Sequence, residues 1–366
     1  MIIPRGDIRS PIWIILREPS EADNGAGTPI SGTEGFHLDK LFDELGLPTP
    51  YITTIEQNSL VTYDTTKDRL YSFLHWLTTM DVLPAIIGLY DKPACELLTP
   101  ETRNYKKPYD TKLDKWAGSL LVSPLLNWQH YCIPLWPVSQ FFIDWSYRDI
   151  YKYIDLGHLK DEYDDFKSNG ILTPLPAYRI TTNPTFSQVV DFISHCRDAN
   201  YVARDIETIR LPKSKRSETG VSGHMYTVAL APNKREAMSF QLWNWPREQR
   251  TRIWLALNEL YRNCNTIGQN FFQFDAHYEE AYGLEPNLTT LHDTRLRHQL
   301  LWPELPHSLQ FQTKQYTRQK YYKDEGKQWN PKYLGQLLNY NALDTLVDYE
   351  IFEKQEEEFD ERPHLR

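Results

Sequence analysis

Four carboxylates, Asp205, Glu207, Asp275 and Asp344, lie in three separate strings of this chain. The strings are Tyr201-Val-Ala-Arg-Asp-Ile-Glu-Thr208, Gly268-Gln-Asn-Phe-Phe-Gln-Phe-Asp275 and Tyr340-Asn-Ala-Leu-Asp344. The first has the apolar lead-in of a buried strand, and side chains two apart on a strand share a face, so Asp205 and Glu207 can address one cation together. In the third, Tyr340 and Asp344 are four apart in what reads as a helix and stack on one side. Carboxylate oxygens suit hard divalent ions such as Mg²⁺ and Mn²⁺. Two such ions about 4 Å apart stabilise both the attacking and the leaving oxygen of an in-line displacement at phosphorus. The expected chemistry is metal-assisted phosphodiester hydrolysis, with the four acids holding two ions. Tyr340 is expected to position the attacking water, because a phenol with a pKa of about 10 is a poor base at neutral pH.

The elements that must carry these strings follow an α/β rhythm. Ala177 to Thr181 reads as a short strand, Thr185 to Asp198 as a helix, and the Asp205 string as a second strand. Met225 to Ala231 and Glu236 to Leu242 read as further strands, and Arg247 to Cys264 as a helix. Thr266 to Asn270 leads by a turn into a helix around Asp275, and the chain ends on a helix from about Leu337 to Glu358. Asp293 and Ser308 read as helix N-caps. His277, His292, His298 and His307 read as ordinary surface or core residues.

Together the three strings resemble the motifs of 3′→5′ exonucleases that use four acidic ligands and a tyrosine in the third motif. Within that superfamily they are similar to the proofreading domain of phage-type family A DNA polymerases. Leu291 to Phe311, Gln315-Tyr-Thr317 and Tyr321-Tyr-Lys-Asp-Glu325 extend the likeness over roughly residues 175 to 360. The resemblance implies a ribonuclease H-like mixed sheet, two Mg²⁺ or Mn²⁺ ions, and release of nucleoside 5′-monophosphates from a single-stranded or frayed DNA 3′ end. It implies substrate contacts at Thr208, Asn270, Phe271 and Lys323. Arg204 stands where a buried apolar residue is usual, and is expected to point away from the core or to reach the phosphate backbone as a further substrate contact. A DNA polymerase is the expected partner or fused domain, since only 22 residues follow Asp344. An RNA exonuclease of the ribonuclease D type and a non-catalytic replication scaffold remain open as alternatives.

The first half reads differently. Pro11 to Leu16 is a buried-strand run, Pro19 to Pro29 a loop, Gly35 to Leu45 an amphipathic helix closed by Gly46, and Ala85 to Leu89 another strand. Tyr131 to Pro137 reads as a strand ending in a loop. With Thr28-Pro-Ile-Ser-Gly32, this order resembles the opening of family 4-type uracil-DNA glycosylases over roughly residues 8 to 155. Arg17 departs from the glycine-glutamate pair of that family, and Leu135-Trp-Pro-Val138 from its His-Pro-Ser loop. Only Cys95 and Cys132 fall in this half, so no iron–sulfur cluster is expected. The expected organisation is a non-catalytic glycosylase-like three-layer α/β domain (1–158), a linker (159–174) and an α/β exonuclease domain (175–366).

The 366 residues, with 11 Trp, 23 Tyr and 15 Phe, describe a folded two-domain protein. The scattered cysteines form no Cys-x-x-Cys pair, which argues against zinc and for a reducing, cytoplasmic setting, of a host cell if phage-encoded. No apolar run approaches a membrane span, so no membrane partner is expected. The net charge of −9 leaves nucleic-acid binding to local patches. Arg210, Lys213, Lys215 and Arg216 form one, and Arg103, Lys106, Lys107, Lys112 and Lys115 another. Lys314, Arg318, Lys320, Lys323, Lys327 and Lys332 form the third. This last is interleaved with Tyr316, Tyr321, Tyr322 and Trp329, a pattern that suits a strand gripped by phosphate and stacked by base.

Overall fold

The computed structural model describes residues 2–56, 63–80, 84–104, 111–126, 130–145, 147–210, 223–323 and 333–365. It divides into two units, Met1–Leu175 and Pro176–Arg366. In the first unit, short apolar runs become β1 (Ile12–Leu16), β2 (Tyr51–Thr54), β3 (Ile86–Leu89), β4 (Leu121–Val122) and β5 (Tyr131–Pro134). They lie in the order β2-β1-β3-β5-β4, all neighbours parallel except β4 against β5. A parallel sheet must be covered on both faces, and the alternation along β1 shows how. Ile12, Ile14 and Leu16 join the apolar layer of Leu38, Leu41 and Phe42, whereas Trp13 and Ile15 join that of Leu74 and Leu77.

Two expectations for this unit are corrected. Residues 159–174 are not a linker: the helix Leu156–Asn169 buries Leu156 and Leu159, and Tyr163, Phe166, Leu172 and Leu175 pack against the same layer. Its apolar stripe belongs to the first sheet's core. The segment expected as a loop from Pro19 contains a helix, Glu21–Ala26, because Ser20 and Asp23 form a reciprocal capping box. Gly46 closes the helix Gly32–Leu45 at a φ of 66°, a left-handed conformation that favours glycine.

The second unit is built on β6 (Arg179–Thr182), β7 (Val202–Arg210), β8 (Gly223–Asn233), β9 (Glu236–Gln241), β10 (Thr266–Gly268) and β11 (Leu291–Asp293). The order is β11-β10-β7-β8-β9-β6. β7, β8 and β9 form an antiparallel meander; β10 and β11 extend it in parallel from β7, and β6 pairs parallel with β9. This is the α/β class and the ribonuclease H-like mixed sheet that the sequence led us to expect. The helices Phe186–Arg197 and Arg247–Asn263 cover one face through Val189, Ile193, Ile253 and Leu257. The 28-residue helix Leu334–Glu361 covers the other. There Ala203, Ala231 and Ala237 of the sheet meet Ala342 and Leu346 of the helix. Among the described residues, no helix is long and apolar enough to cross a membrane.

Candidate metal centre

Alternation along β7 decides which side chains reach this site. Val202 and Ile206 point into the layer under Ile253 and Leu257, while Ala203 faces the long C-terminal helix. Asp205 and Glu207 share the parity of Ala203 and so face the helix that carries Tyr340 and Asp344. A register shift between Glu207 and Thr208 skips Tyr226 of β8 immediately beyond them, and the pairing resumes at Thr208 opposite Met225. The result is convergence: carboxylate oxygens of Asp205, Glu207 and Asp344 all lie within 4.8 Å of one another. Asp275 opens the helix Asp275–Ala281 and is buried, with its Oδ1 lacking a hydrogen-bond partner among the described residues.

The electrostatics record the crowding. Burial holds Asp205 well above the usual carboxylate range, and the charges of Asp344, Asp275 and Glu207 add to it. Burial pushes Glu207 up to about 7, with Asp344 adding and Lys323 opposing. Burial and the neighbouring Glu279 likewise raise Asp275, against the pull of Arg204. Four acids that repel one another in a desolvated pocket, one with an orphaned oxygen, form an all-oxygen donor set suited to hard divalent cations. The residues present therefore fit a divalent cation.

Donors surround the acids. Lys323 Nζ lies 2.7 and 2.6 Å from the two oxygens of Asp344 and 3.0 Å from the Tyr340 hydroxyl. The buried Tyr322 donates to Asp344 Oδ1 at 2.6 Å. Burial, and then the charges of Asp344, Glu207 and Asp205, raise the Tyr340 phenol further above its ordinary value. Tyr340 therefore keeps its proton and can serve as a donor, not as a base. Sequence reasoning missed Asn341, whose Nδ2 donates to Asp205 Oδ2 at 2.6 Å. Its Oδ1 accepts from Thr227 and Ser239, each at 2.9 Å. The signal was available in principle: an asparagine next to Tyr340, and hydroxyls at inward positions of two apolar strands.

Several expected substrate contacts are placed elsewhere. Arg204 is 4% exposed and grips both oxygens of Glu279 at 2.6 and 2.5 Å. Its guanidinium lies 4.1 and 4.3 Å from the ring centres of Tyr261 and Phe271. It neither leaves the core nor reaches a backbone phosphate, because its parity on β7 is opposite to that of Asp205. Phe271 is 1% exposed and is engaged by that cation, so it offers no face to a nucleotide; Phe272 and Phe274 beside it are each 41% exposed. Asn270 takes a left-handed φ of 60°. Its backbone N–H donates to Asp293 at 3.0 Å and its Oδ1 accepts from Arg295 at 2.5 Å. Thr208 is half-buried just past the register shift.

The aromatic members of the third basic patch are likewise interior: Tyr316, Tyr321 and Tyr322 are buried, so they are not stacking platforms. Lys106, Lys107, Lys213, Lys215, Arg216, Lys327, Trp329 and Lys332 lie outside the described residues. Asp293 and Ser308 do cap helices, accepting from Leu296 and Phe311 backbone N–H groups respectively. In the first unit, a cavity of about 440 Å³ lies at the carboxyl ends of β1, β3 and β5, lined by Leu16, Glu18, Tyr90, Asp91 and Trp136. The Arg17 backbone N–H donates to Asp91 there at 2.7 Å.

No family model matches this chain, and no curated protein matches it. Among solved structures it is similar to the catalytic core of RRP6 from Trypanosoma brucei, at 14% identity and a TM-score of 0.42, over 53% of this chain and 52% of that one. It is also similar to the Aedes aegypti Nibbler EXO domain, at 13% identity and a TM-score of 0.41, over 52% of this chain and 93% of that one. A third is Brucella melitensis NrnC with bound Mg²⁺, at 16% identity and a TM-score of 0.34, over 52% and 84%. The chain spans about half the length of the RRP6 core. Likenesses this distant leave the functional argument to the geometry of the site.

Proposed function

We propose that residues 176–366 form a two-metal 3′→5′ exonuclease that releases nucleoside 5′-monophosphates from single-stranded or frayed DNA ends. The observation that carries this reading is the convergence of Asp205, Glu207 and Asp344 within 4.8 Å, beside the buried Asp275. Two divalent cations, when bound, lower the cost of negative charge on the attacking and leaving oxygens. Asp205, Glu207, Asp275 and Asp344 would hold them. Tyr340, protonated, donates its hydrogen bond to the attacking water and fixes its direction. Lys323 supplies positive charge at the edge of the acid cluster, where phosphate oxygens would arrive. The resemblance to phage-type proofreading domains supports a role beside a DNA polymerase. We read the first unit as a glycosylase-like module without glycosylase activity that binds DNA or a protein partner, because Arg17 and Trp136 stand in place of that family's catalytic contacts.

The experiment is digestion of a 5′-labelled single-stranded DNA, and of RNA of equal sequence, with Mg²⁺ or Mn²⁺. The Asp205→Ala/Glu207→Ala double variant runs alongside. The expected result is a ladder shortening from the 3′ end of DNA in the wild type alone. A double variant within about tenfold of the wild-type rate, or about 1.4 kcal/mol of activation free energy, sinks the site. Preference for RNA would move the substrate to the ribonuclease D type while leaving the chemistry.

A further inference from the structure

Asn341 is an amide with no exposure at all, on a helix that presents Ala342 and Leu346 to the sheet. Burying an amide is unfavourable unless its hydrogen bonds are made. Here the partners come from three different strands: Asp205 on β7, Thr227 on β8 and Ser239 on β9. Thr227 and Ser239 are also fully buried, and Thr227 lies directly opposite Glu207 in the β7–β8 register.

The chemistry fixes how this amide must be oriented. Once Asp205 is ionised to bind a cation it can only accept, so the group turned to it then has to be the amide NH₂. The carbonyl then faces two hydroxyls, both of which can donate to it. A flipped amide would set a carbonyl against a carboxylate and would lose both hydroxyl donors. The bond engages Oδ2 of Asp205 and so fixes how that carboxylate is turned toward Glu207 and Asp344.

We propose that Asn341 is a positioning residue that selects which oxygen of Asp205 meets the cation, and that Thr227 and Ser239 lock its amide in the orientation that does so. The proposal rests on the two-metal reading of the same site. It ties metal affinity to a buried polar relay that crosses the sheet, in the way that groups behind metal ligands tune affinity elsewhere.

The test is Mn²⁺ binding to the full chain, read from the free-ion signal in electron paramagnetic resonance, with cleavage measured in parallel against Mn²⁺ concentration. Asn341→Leu keeps the γ-branched shape and the number of side-chain heavy atoms and removes the donor. Its Mn²⁺ dissociation constant and half-saturating Mn²⁺ for cleavage should both rise by about 10–100-fold, with cleavage recovering as Mn²⁺ is added. The Ser239→Ala/Thr227→Val double variant, which unlocks the amide without touching Asn341, should shift both in the same direction. Mn²⁺ affinity within about threefold of wild type in a folded Asn341→Leu protein overturns the proposal. If that variant does not fold, an unchanged affinity in the double variant overturns it instead. A wild type that binds no Mn²⁺ defeats both this inference and the exonuclease reading. In a wild type that binds Mn²⁺ and cleaves nothing, the exonuclease reading falls and the affinity difference still decides for or against Asn341.

Discussion

Glu207 and its neighbours are carboxylates held where charge is unwelcome. Burial raises Asp205, Glu207 and Asp275, with Glu207 at about 7, and burial also raises Asp348, one turn beyond Asp344, to about 8. An acid whose folded pKa lies above its unfolded value stabilises the fold only while protonated. That contribution is complete below the unfolded value of roughly 4 and is lost as pH rises through the folded value. The metal-free protein should therefore lose thermal stability between roughly pH 5 and pH 8. Divalent cations bind the ionised form, so the melting shift produced by Mn²⁺ should grow over the same interval. Melting curves in EDTA and in Mn²⁺ at several pH values measure both effects; a Mn²⁺ shift that shrinks with rising pH contradicts a carboxylate site. Asp205 with Glu207, and Tyr340 with Asp344, were legible as pairs because spacings of two and four are local geometry; no such spacing ties Asp275 to them. Asn341 was not legible, since its partners are 136, 114 and 102 positions away.

At the scale of elements, one strand serves two masters. The odd positions of β7 feed the acid cluster, and the even position Arg204 ties the sheet to the helix Asp275–Ala281 through Glu279. That helix also carries Asp275, so the ion pair anchors the element that delivers the fourth acid. Removing one partner of a buried pair leaves an uncompensated charge and costs about 3–5 kcal/mol. Glu279→Gln or Arg204→Met should reduce stability to urea by that order, without a selective loss of single-strand affinity in the molecules that remain folded. Unchanged stability with weakened DNA binding would restore Arg204 as a phosphate contact. The strand itself was readable from its apolar lead-in. Which side of it Arg204 would find satisfying was not, because that depended on a glutamate 75 positions later and on two aromatic rings that a strand pattern does not reveal.

At the scale of the molecule, every side chain of the candidate centre comes from the second unit, Pro176–Arg366, and so do both apolar layers around its sheet. Residues 176–366 expressed alone should therefore fold and cleave with a kcat within about tenfold of the full chain, about 1.4 kcal/mol in activation free energy. Circular dichroism and the labelled-strand assay check the two halves of that expectation. A folded fragment without activity would mean that the first unit contributes to the site. The helix Leu156–Asn169 would then stay behind with the first unit, since its apolar stripe packs on that unit's own core.

The amino-acid sequence by itself determined the alternation of strands and helices in the second unit, the helix caps at Asp293 and Ser308, and the shared strand face of Asp205 and Glu207. Each of these follows from interactions within a few residues, where periodicity and backbone hydrogen bonding act. Only the tertiary structure decided that Arg204 and Phe271 are interior, that residues 159–174 are core-bound, that Tyr316, Tyr321 and Tyr322 are buried, and that Asn341 stands behind Asp205. Those outcomes depend on which face of one element meets which face of another. Burial and pairing across the sheet are set by partners distant in sequence, and no local pattern records them.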